Sequence, residues 1–252
     1  KKVCSYQNGI SLHEPIRAYA VVNKTQQQLE KSASGGVFSA VATYFLKNEG
    51  VVYGAALDFE GGHPIAHLVG IDDASQLWRL QGSKYVQSAV EQTYKQAKQN
   101  LDAGKKVLFS GTPCQIAGLY GYLKKEYTNL WTIDVICHGV PNLKFFDDYL
   151  SIEGKKRGGV PTGYSFRDKK RGWGMNARLD LRYLSGKEKS TYIPARLTSY
   201  NTLFLDGDVY RENCYACPYA RKERVSDMTI GDFWGIEREH PELLKQSEFD
   251  EK

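Results

Sequence analysis

A strand–helix–strand unit near the middle of the chain constrains the fold more than any other feature of this sequence. Residues 107–110 and 131–136 are short apolar runs of the kind that form buried strands. Between them, residues 113–125 begin with a proline and place apolar side chains at helical intervals. Because a helical crossover joins parallel strands, the sequence predicts an α/β protein with a mixed or partly parallel sheet flanked by helices.

The first sub-part of the chain, about residues 17–152, contains several further predicted elements. Strand-like spacing of apolar residues occurs at 17–23, 51–57 and 66–71. Helical spacing occurs at 35–48, 73–80 and 90–103, with a further helix around 145–150. Ser34 is the expected N-cap of the helix at 35–48.

The second sub-part, about residues 163–236, has a different pattern. Residues 153–163 are rich in Gly, Lys and Pro and are interpreted as a connector. Alternating polar and apolar residues then predict antiparallel strands at 163–167, 178–183 and 190–193, a helix near 199–206 and a last strand at 228–231. This half is therefore expected to be a more antiparallel α+β structure.

Composition narrows the classes of protein that this chain can represent. The net charge of +5 is spread along 252 residues without a long basic run, which gives little support to nucleic-acid binding. The apolar stretches are shorter than the roughly 18 residues of a membrane span. Five cysteines, an odd number, fit a reducing cytoplasm. The start at Lys1 without a leader indicates a trimmed chain, with residues 1–16 as a boundary segment and 241–252 as a tail.

Four of the cysteines form a pattern that suggests a metal or redox centre. Cys214 and Cys217 form a CxxC pair that is followed by a proline, as in iron–sulfur binding runs. Cys114 and Cys137 each follow a predicted parallel strand, so both are expected at the carboxyl edge of the sheet, where open α/β sheets bind ligands. Cys114 would also lie in the first turn of a helix, which favours its thiolate form. Cys4 is left over.

Several chemistries fit these four thiols. A [4Fe-4S] cluster uses four thiolates, whereas a structural zinc site usually has two CxxC pairs. A redox dithiol formed by Cys214 and Cys217, or a non-enzymatic electron-transfer or zinc-stabilised interaction module, is also compatible with the pattern. His138 could be a ligand, a proton donor or a side chain bound to the end of the sheet.

Two segments have the composition of an anion-binding or flavin-binding site. Ser32, Ser34, Gly35 and Gly36 precede a predicted helix, where they could bind a phosphate or simply cap the helix. The loop 82–88 contains an aromatic ring, Tyr85, and four hydrogen-bonding side chains, one of them a cation: Ser83, Lys84, Gln87 and Ser88. Lys84 could neutralise a phosphate or a reduced flavin, or it could be a solvated loop lysine.

Two further groups of charged and aromatic residues are compatible with either binding or packing. Arg167, Asp168, Lys169 and Arg171, with Trp173, could receive an acidic substrate or partner or form a charged turn on a solvated face. Asp232, Phe233 and Trp234 could form part of a pocket wall, although packing is the simpler explanation for the two rings.

Six ordered blocks of the chain resemble the coenzyme F420 hydrogenase/dehydrogenase beta-subunit family. They are SASGGVFS at 32–39, GSKYVQS at 82–88, FSGTPCQIAG at 109–118, CHGVP at 137–141, the CxxC pair at 214–217, and SDMTIGDFWGI at 226–236. The resemblance spans about residues 17–240. It implies an FAD-dependent iron–sulfur oxidoreductase that passes electrons between a cluster and a substrate or deazaflavin-type coenzyme.

The same resemblance implies specific roles for residues. Cys114, Cys137, Cys214 and Cys217 would bind a [4Fe-4S] cluster, and the blocks at 32–36 and 82–88, with Thr112 and Gln115, would help to form the FAD pocket. Lys84 and His138 are the candidate catalytic residues. Many members also carry an upstream ferredoxin-like segment, so a ferredoxin or such a domain is the expected electron partner. A hetero- or homo-oligomer is also compatible with the resemblance.

Overall fold

The computed structural model of the chain describes residues 11–170 and 172–242, with Arg196 described by its backbone alone. Eight strands are present in this part of the chain: β1 (Val51–Glu60), β2 (His63–Ile71), β3 (Val107–Gly111), β4 (Leu130–Val135), β5 (Val160–Ser165), β6 (Ala177–Arg182), β7 (Glu188–Ile193) and β8 (Met228–Ile230). The helices are α1 (Gln26–Lys31), α2 (Val37–Lys47), α3 (Thr93–Asp102), α4 (Pro113–Leu123), α5 (Leu143–Arg157), α6 (Ser199–Asp206), α7 (Glu212–Tyr215) and α8 (Ile236–Glu239).

A five-stranded sheet forms the centre of the fold. Its strand order is β2-β1-β3-β4-β8. The hairpin of β1 and β2 is antiparallel. The strands β1, β3, β4 and β8 run parallel to one another. The predicted parallel pair is therefore confirmed, and the helix α4 makes the crossover between β3 and β4.

Helices cover both faces of this sheet because its strands are apolar on both sides. Along β3, Val107 and Phe109 face one core with residues of α3 and α4, whereas Leu108 faces a second core with residues of α2. Tyr53 on β1 stacks on Phe109 with ring centroids 5.4 Å apart. Burial on both faces is what fixes the register of a short strand such as β3.

A second sheet, with strand order β5-β6-β7, is antiparallel throughout. Its apolar side chains, together with those of α5 and α6, form an aromatic core around Phe146, Phe166 and Tyr200. The expected change from a partly parallel first half to an antiparallel second half is confirmed, as is the α/β class.

Three local predictions were wrong. Residues 17–23 form no strand in the described structure; instead Asn23 N–H donates to the Gly35 carbonyl at 2.7 Å, so this stretch lies along the loop before α2. Ser34 does not cap α2, whose N-cap is Gly36 with φ +76° and no side-chain cap. Residues 153–157 are not part of a connector, because they complete α5, which carries three basic residues in its last turn and ends at Gly158.

Some predictions lie outside the described residues. These are Cys4, Arg171 and most of the boundary segment and the tail. Within the described part of the chain, none of the helices combines the length and hydrophobicity that crossing a bilayer would require.

Candidate functional site

Two cysteines follow neighbouring parallel strands at one edge of the five-stranded sheet. In the register of β3 and β4, Gly111 lies opposite Asp134, and Cys114 and Cys137 each follow three residues later. Cys114 lies in the first turn of α4, with its Sγ 3.1 Å from the Oγ1 of the N-cap residue Thr112. Both sulfurs are thus at the carboxyl edge of the parallel strands, the edge at which open α/β sheets bind ligands.

The CxxC segment, residues 214–217, is held close to the loop that follows β4. Arg211 N–H donates to the Val140 carbonyl at 3.0 Å, three residues before the first cysteine of the segment. Tyr210 packs on Gly139, where an added Cβ would lie 2.8 Å from the ring. Gly139 also has φ +117°, a conformation that glycine adopts most readily. A side chain at this position would therefore push the CxxC segment away from the strand that precedes Cys137.

Electrostatics show that the four thiols share one neighbourhood. The pKa of the Cys137 thiol is raised to about 11: burial is the largest cause, negative charge on Cys114, Cys214 and Cys217 adds to it, and a backbone bond from Gly139 opposes it. Cys137 retains exposed surface, but protein atoms surround its sulfur. All four thiols are free of disulfides. Within the described residues, no three metal-binding side chains stand in a ready-made ligand arrangement.

His138 extends from the same loop toward α6. Its Nε2 lies 3.2 Å from the Leu205 carbonyl and donates to it in the tautomer that carries the proton there. The ring meets Phe204 and Tyr210 edge to face, at centroid distances of 5.3 and 5.6 Å. His138 is thus fixed beside Cys137, and its other ring nitrogen, Nδ1, has no bond to the described residues.

The loop 81–88 connects the cysteine edge with the rest of the candidate site. Gln87 N–H donates to the Pro141 carbonyl at 3.0 Å, and the Ser88 carbonyl accepts a bond from Gln115 Nε2 at 3.3 Å. Gln115 Oε1 in turn accepts from Thr112 N–H at 3.0 Å, in the capping box of α4. The structure therefore brings Gln87, Ser88, Thr112 and Gln115 together next to Cys114.

The middle of the loop 81–88 is oriented differently. Tyr85 packs into the aromatic core, where it stacks on Phe204 with centroids 4.8 Å apart and its carbonyl accepts from Tyr200 Oη at 2.6 Å. Ser83 is half-buried. The packing of Tyr85 fixes this loop to the second half of the chain. Tyr85 therefore holds the loop in the position from which its other residues could contact a ligand.

The start of the same loop is bonded to the segment before α2. Ser32 Oγ and Ser39 Oγ are 3.0 Å apart, and Gln81 Nε2 donates to Ser39 Oγ at 2.9 Å. Ser32 is buried and also donates to the Gln28 carbonyl at 2.7 Å. The two segments that the family resemblance assigns to one pocket are therefore in contact through Ser39.

Ser34 and the two glycines that follow it form the turn into α2. The Ser34 carbonyl accepts a bond from Lys169 Nζ at 2.9 Å. Gly35 approaches the backbone so closely that an added Cβ would lie 2.9 Å from the Val21 carbonyl oxygen. Gly36 has the left-handed φ noted above, so side chains are unfavourable at both glycines. A ligand at this turn would therefore meet backbone groups of the two glycines rather than side chains.

Lys84 is enclosed by its own loop. Its Nζ donates to the carbonyls of Gln81, at 2.7 Å, and Arg79, at 3.0 Å. The residue keeps some exposed surface, but the protein surrounds the amine, and this burial lowers the pKa of Lys84 to about 7, while the Asp58 carboxylate opposes the shift. An amine with this pKa can both give and take a proton near neutral pH.

Comparison with known proteins identifies the family. Residues 104–247, more than half of the chain, match the family model that describes the C terminus of the coenzyme F420 hydrogenase/dehydrogenase beta subunit. The chain belongs to the coenzyme F420 hydrogenase/dehydrogenase beta-subunit family. The matched segment includes all four site cysteines and begins after the blocks at 32–36 and 82–88. No curated protein sequence matches the chain.

A solved structure supports the fold of this family member. A chain of the F420-reducing [NiFe] hydrogenase complex from Methanosarcina barkeri superimposes with a TM-score of 0.53 and 14% sequence identity, covering 88% of this chain and 72% of that chain. At this identity, the likeness concerns the fold alone. With the family match, it confirms the resemblance drawn from the six sequence blocks.

Sequence analysis of this family member missed a buried ion pair close to the cysteines. Arg224 Nη2 donates to Asp134 Oδ1 at 2.7 Å, and the Asp134 side chain is fully buried. Arg224 follows the CxxC segment, and Asp134 lies three residues before Cys137, so the pair joins the two cysteine-bearing parts. The signal was a charged residue within the apolar run 131–136, which must find a partner when it is buried.

Replacing Lys84 with methionine is expected to flatten the pH dependence of the free energy of unfolding between about pH 7 and pH 9. The folded protein releases the Lys84 proton at about pH 7, whereas an unfolded lysine keeps its proton to about pH 10.4. Unfolding thus takes up a proton in this window, so wild-type stability gains a term that rises with pH. Urea unfolding at about pH 7, 8 and 9 measures it, with K155M, at an exposed lysine, as the control. Parallel pH curves for wild type and K84M would contradict the prediction.

Proposed function

We propose that this protein is an iron–sulfur flavoprotein oxidoreductase that passes electrons between a [4Fe-4S] cluster and a substrate or deazaflavin-type coenzyme docked at FAD. The observation that carries the proposal is the convergence of Cys114, Cys137 and the CxxC segment at the carboxyl edge of one sheet. Membership in a family of oxidoreductase subunits supports the same activity.

The donor set fits an iron–sulfur cluster in number and chemistry. Four free thiols, with no histidine or carboxylate needed, match the four thiolate ligands of such a cluster. Their mutual repulsion, which helps to raise the pKa of Cys137, makes four thiolates unfavourable unless a cation compensates them. When bound, the cluster would supply one-electron transfer and FAD would supply hydride transfer.

The two segments that would contact FAD are joined in space by the Ser39 side chain, which contacts Ser32 and Gln81. The turn containing Ser32, Ser34, Gly35 and Gly36 offers backbone groups at the start of α2, which suits a phosphate. In the loop 82–88, Ser83, Gln87 and Ser88, with Thr112 and Gln115 of α4, complete the proposed pocket, and Tyr85 anchors it. The loop 81–88 contacts Ser39 through Gln81 and the Pro141 carbonyl through Gln87. These contacts support a flavin pocket close to Cys137, as electron transfer between two cofactors requires.

Two residues are proposed to handle protons in this reaction. Lys84, with a pKa lowered to about 7, can hold or release a proton beside the flavin segment without a large energetic cost. His138, fixed through Nε2, has Nδ1 available for a proton on the cysteine side.

The proposed setting follows from the same chemistry. The flavin- and cluster-binding domain would span residues 17–240. A ferredoxin, or an upstream ferredoxin-like domain, would exchange electrons with the cluster, and the reducing cytoplasm would keep the four thiols available. The solved relative belongs to a hydrogenase complex, which supports assembly of this chain with other subunits.

Anaerobic purification followed by absorption spectroscopy and assays of iron, sulfide and flavin tests the proposal. We expect flavin bands and about four irons and four sulfides per chain. The assay includes zinc, because the same four thiols suit a structural zinc site. Zinc without flavin or sulfide would overturn the proposal in favour of a zinc-stabilised module, and a flavin-free, iron-free protein with thiol-disulfide activity would favour a redox dithiol instead.

A further inference from the structure

A buried ion pair, Arg167 and Asp232, and two exposed tryptophans, Trp173 and Trp234, form a cluster beyond the ends of β5 and β8. Arg167 follows β5, and Asp232 follows β8 by two residues. Arg167 Nη1 donates to Asp232 Oδ2 at 2.5 Å, and the two side chains are only 3% and 15% exposed. We refer to these four residues as the indole–guanidinium cluster.

The ion pair of this cluster leaves polar atoms without partners. Arg167 Nη2, a donor, and Asp232 Oδ1, an acceptor, are buried and make no hydrogen bond to any residue that the structure describes. Arg167 Nε does donate, to the Gly174 carbonyl at 3.3 Å. An unsatisfied buried polar group costs about 1–3 kcal/mol, and more when it is charged, so such groups point to a bound partner.

The local charge also lacks a counterpart. Burial and the nearby charge of Arg167 lower the pKa of Lys169, whereas the Asp232 carboxylate raises this pKa. Asp168, the neighbouring carboxylate, is paired with Arg178 at 2.9 Å. Among the residues that the structure describes here, Arg167 and Lys169 therefore share one carboxylate, Asp232, and an anionic ligand would add a second negative charge.

The two indoles provide a surface for a planar ring. Trp173 and Trp234 are stacked with centroids 4.0 Å apart and lie 5.5 and 5.9 Å from the guanidinium carbon of Arg167. They are 44% and 61% exposed, although a closed aromatic stack would usually bury such large rings. Trp173 lies between Gly172 and Gly174, both with positive φ and open space around them. Because two glycines flank Trp173, its indole can move away from Arg167.

We propose that the indole–guanidinium cluster is a binding site for a planar aromatic acid. The ring would replace one indole of the stacked pair beside the guanidinium, the carboxylate would accept from Arg167 Nη2, and a ring hydroxyl or N–H would donate to Asp232 Oδ1. Asp232 leaves the same sheet edge as Cys137, because Ile230 pairs with Val135 in the adjacent strands. The site thus opens beside the cysteine edge, and its existence does not depend on the cofactors proposed above.

Calorimetric titration of the purified chain with 6-hydroxy-2-naphthoate tests this proposal. We expect one binding site per chain, with 2-naphthol and inorganic phosphate binding at least about tenfold more weakly, since each lacks either the carboxylate or the ring. No binding at about 1 mM probe would overturn the proposal, as would equal binding of 2-naphthol or of phosphate. Iron and flavin content, measured on the same sample, keeps this result separate from the test of the proposed function.

Three variants assign the binding to the cluster. R167K keeps a cation for Asp232 but loses the second donor nitrogen, and W234A removes one face of the stack; each is expected to weaken binding by about tenfold. W78F, which changes an exposed tryptophan outside the cluster, is the matched control and should bind as wild type does. If R167K proves unfolded, W234A alone decides, because Trp234 is largely exposed and its loss should not unfold the chain. Unchanged binding by a folded R167K and by W234A would overturn the assignment.

Discussion

Replacing Cys137 with serine is expected to remove nearly all iron from the anaerobically purified protein. The proposed cluster needs four thiolates, and a serine hydroxyl does not ionise at neutral pH to replace one. Cys137 is chosen because the charge on each of the other three thiols raises its pKa, so its sulfur lies within electrostatic range of all of them. Iron and sulfide per chain, together with the charge-transfer absorbance of the cluster, should fall from about four atoms of each to below about one.

Cys4 provides the matched control for this experiment. C4S makes the same chemical change at a cysteine that is not among the four proposed ligands, so its iron content should equal that of the wild type. C114S separates the remaining alternatives, because a redox dithiol formed by the CxxC segment would keep its activity without Cys114. Iron retained by C137S, or lost equally from C4S, would contradict the assignment of the ligands.

Sequence reasoning succeeded where local signals determine structure. The strands around 107–110 and 131–136 were predicted because short apolar runs must be buried on both faces, and Pro113 indicated where α4 begins. The position of Cys114 and Cys137 at one edge then followed from connectivity, since a helical crossover makes both strands run in the same direction. Family and fold were therefore accessible before any contact was known.

Other features depend on residues that are distant in sequence. Gly36, not Ser34, caps α2, because the chain enters this helix through a left-handed residue whose conformation depends on contacts with Asn23. Asp134 and Arg224 are 90 residues apart, and a buried carboxylate indicates that a cation must approach without showing which one. The same applies to Arg167 and Asp232, which are 65 residues apart. Pairing of this kind is set by the tertiary arrangement of the strands, not by local propensity.

The pair of Asp134 and Arg224 is expected to contribute strongly to stability. Arg224→Met leaves the Asp134 carboxylate buried without its cation, and Asp134 Oδ2 already has no hydrogen-bond partner within the described part of the chain. Removing one member of a buried pair typically costs about 3–5 kcal/mol, because the remaining charge stays desolvated. Arg224 also donates to the Val135 carbonyl at 3.3 Å and to Thr229 Oγ1 at 3.1 Å, so part of the loss concerns β4 and β8 directly.

Urea unfolding of three variants separates these contributions. R224M should lose about 3–5 kcal/mol, whereas D134L/R224M should recover most of the loss, since an apolar pair of similar size often replaces a buried ion pair at little cost. R182M, which breaks the exposed pair of Arg182 and Glu188, is the control and should lose less than about 1 kcal/mol. If the double variant is as unstable as R224M, the loss comes from the bonds of Arg224 to the strands and not from the uncompensated charge of Asp134. In the expected case, the loss comes from the uncompensated charge of Asp134, three residues before Cys137. R224M should then also lower the iron content of the folded protein, and D134L/R224M should restore it.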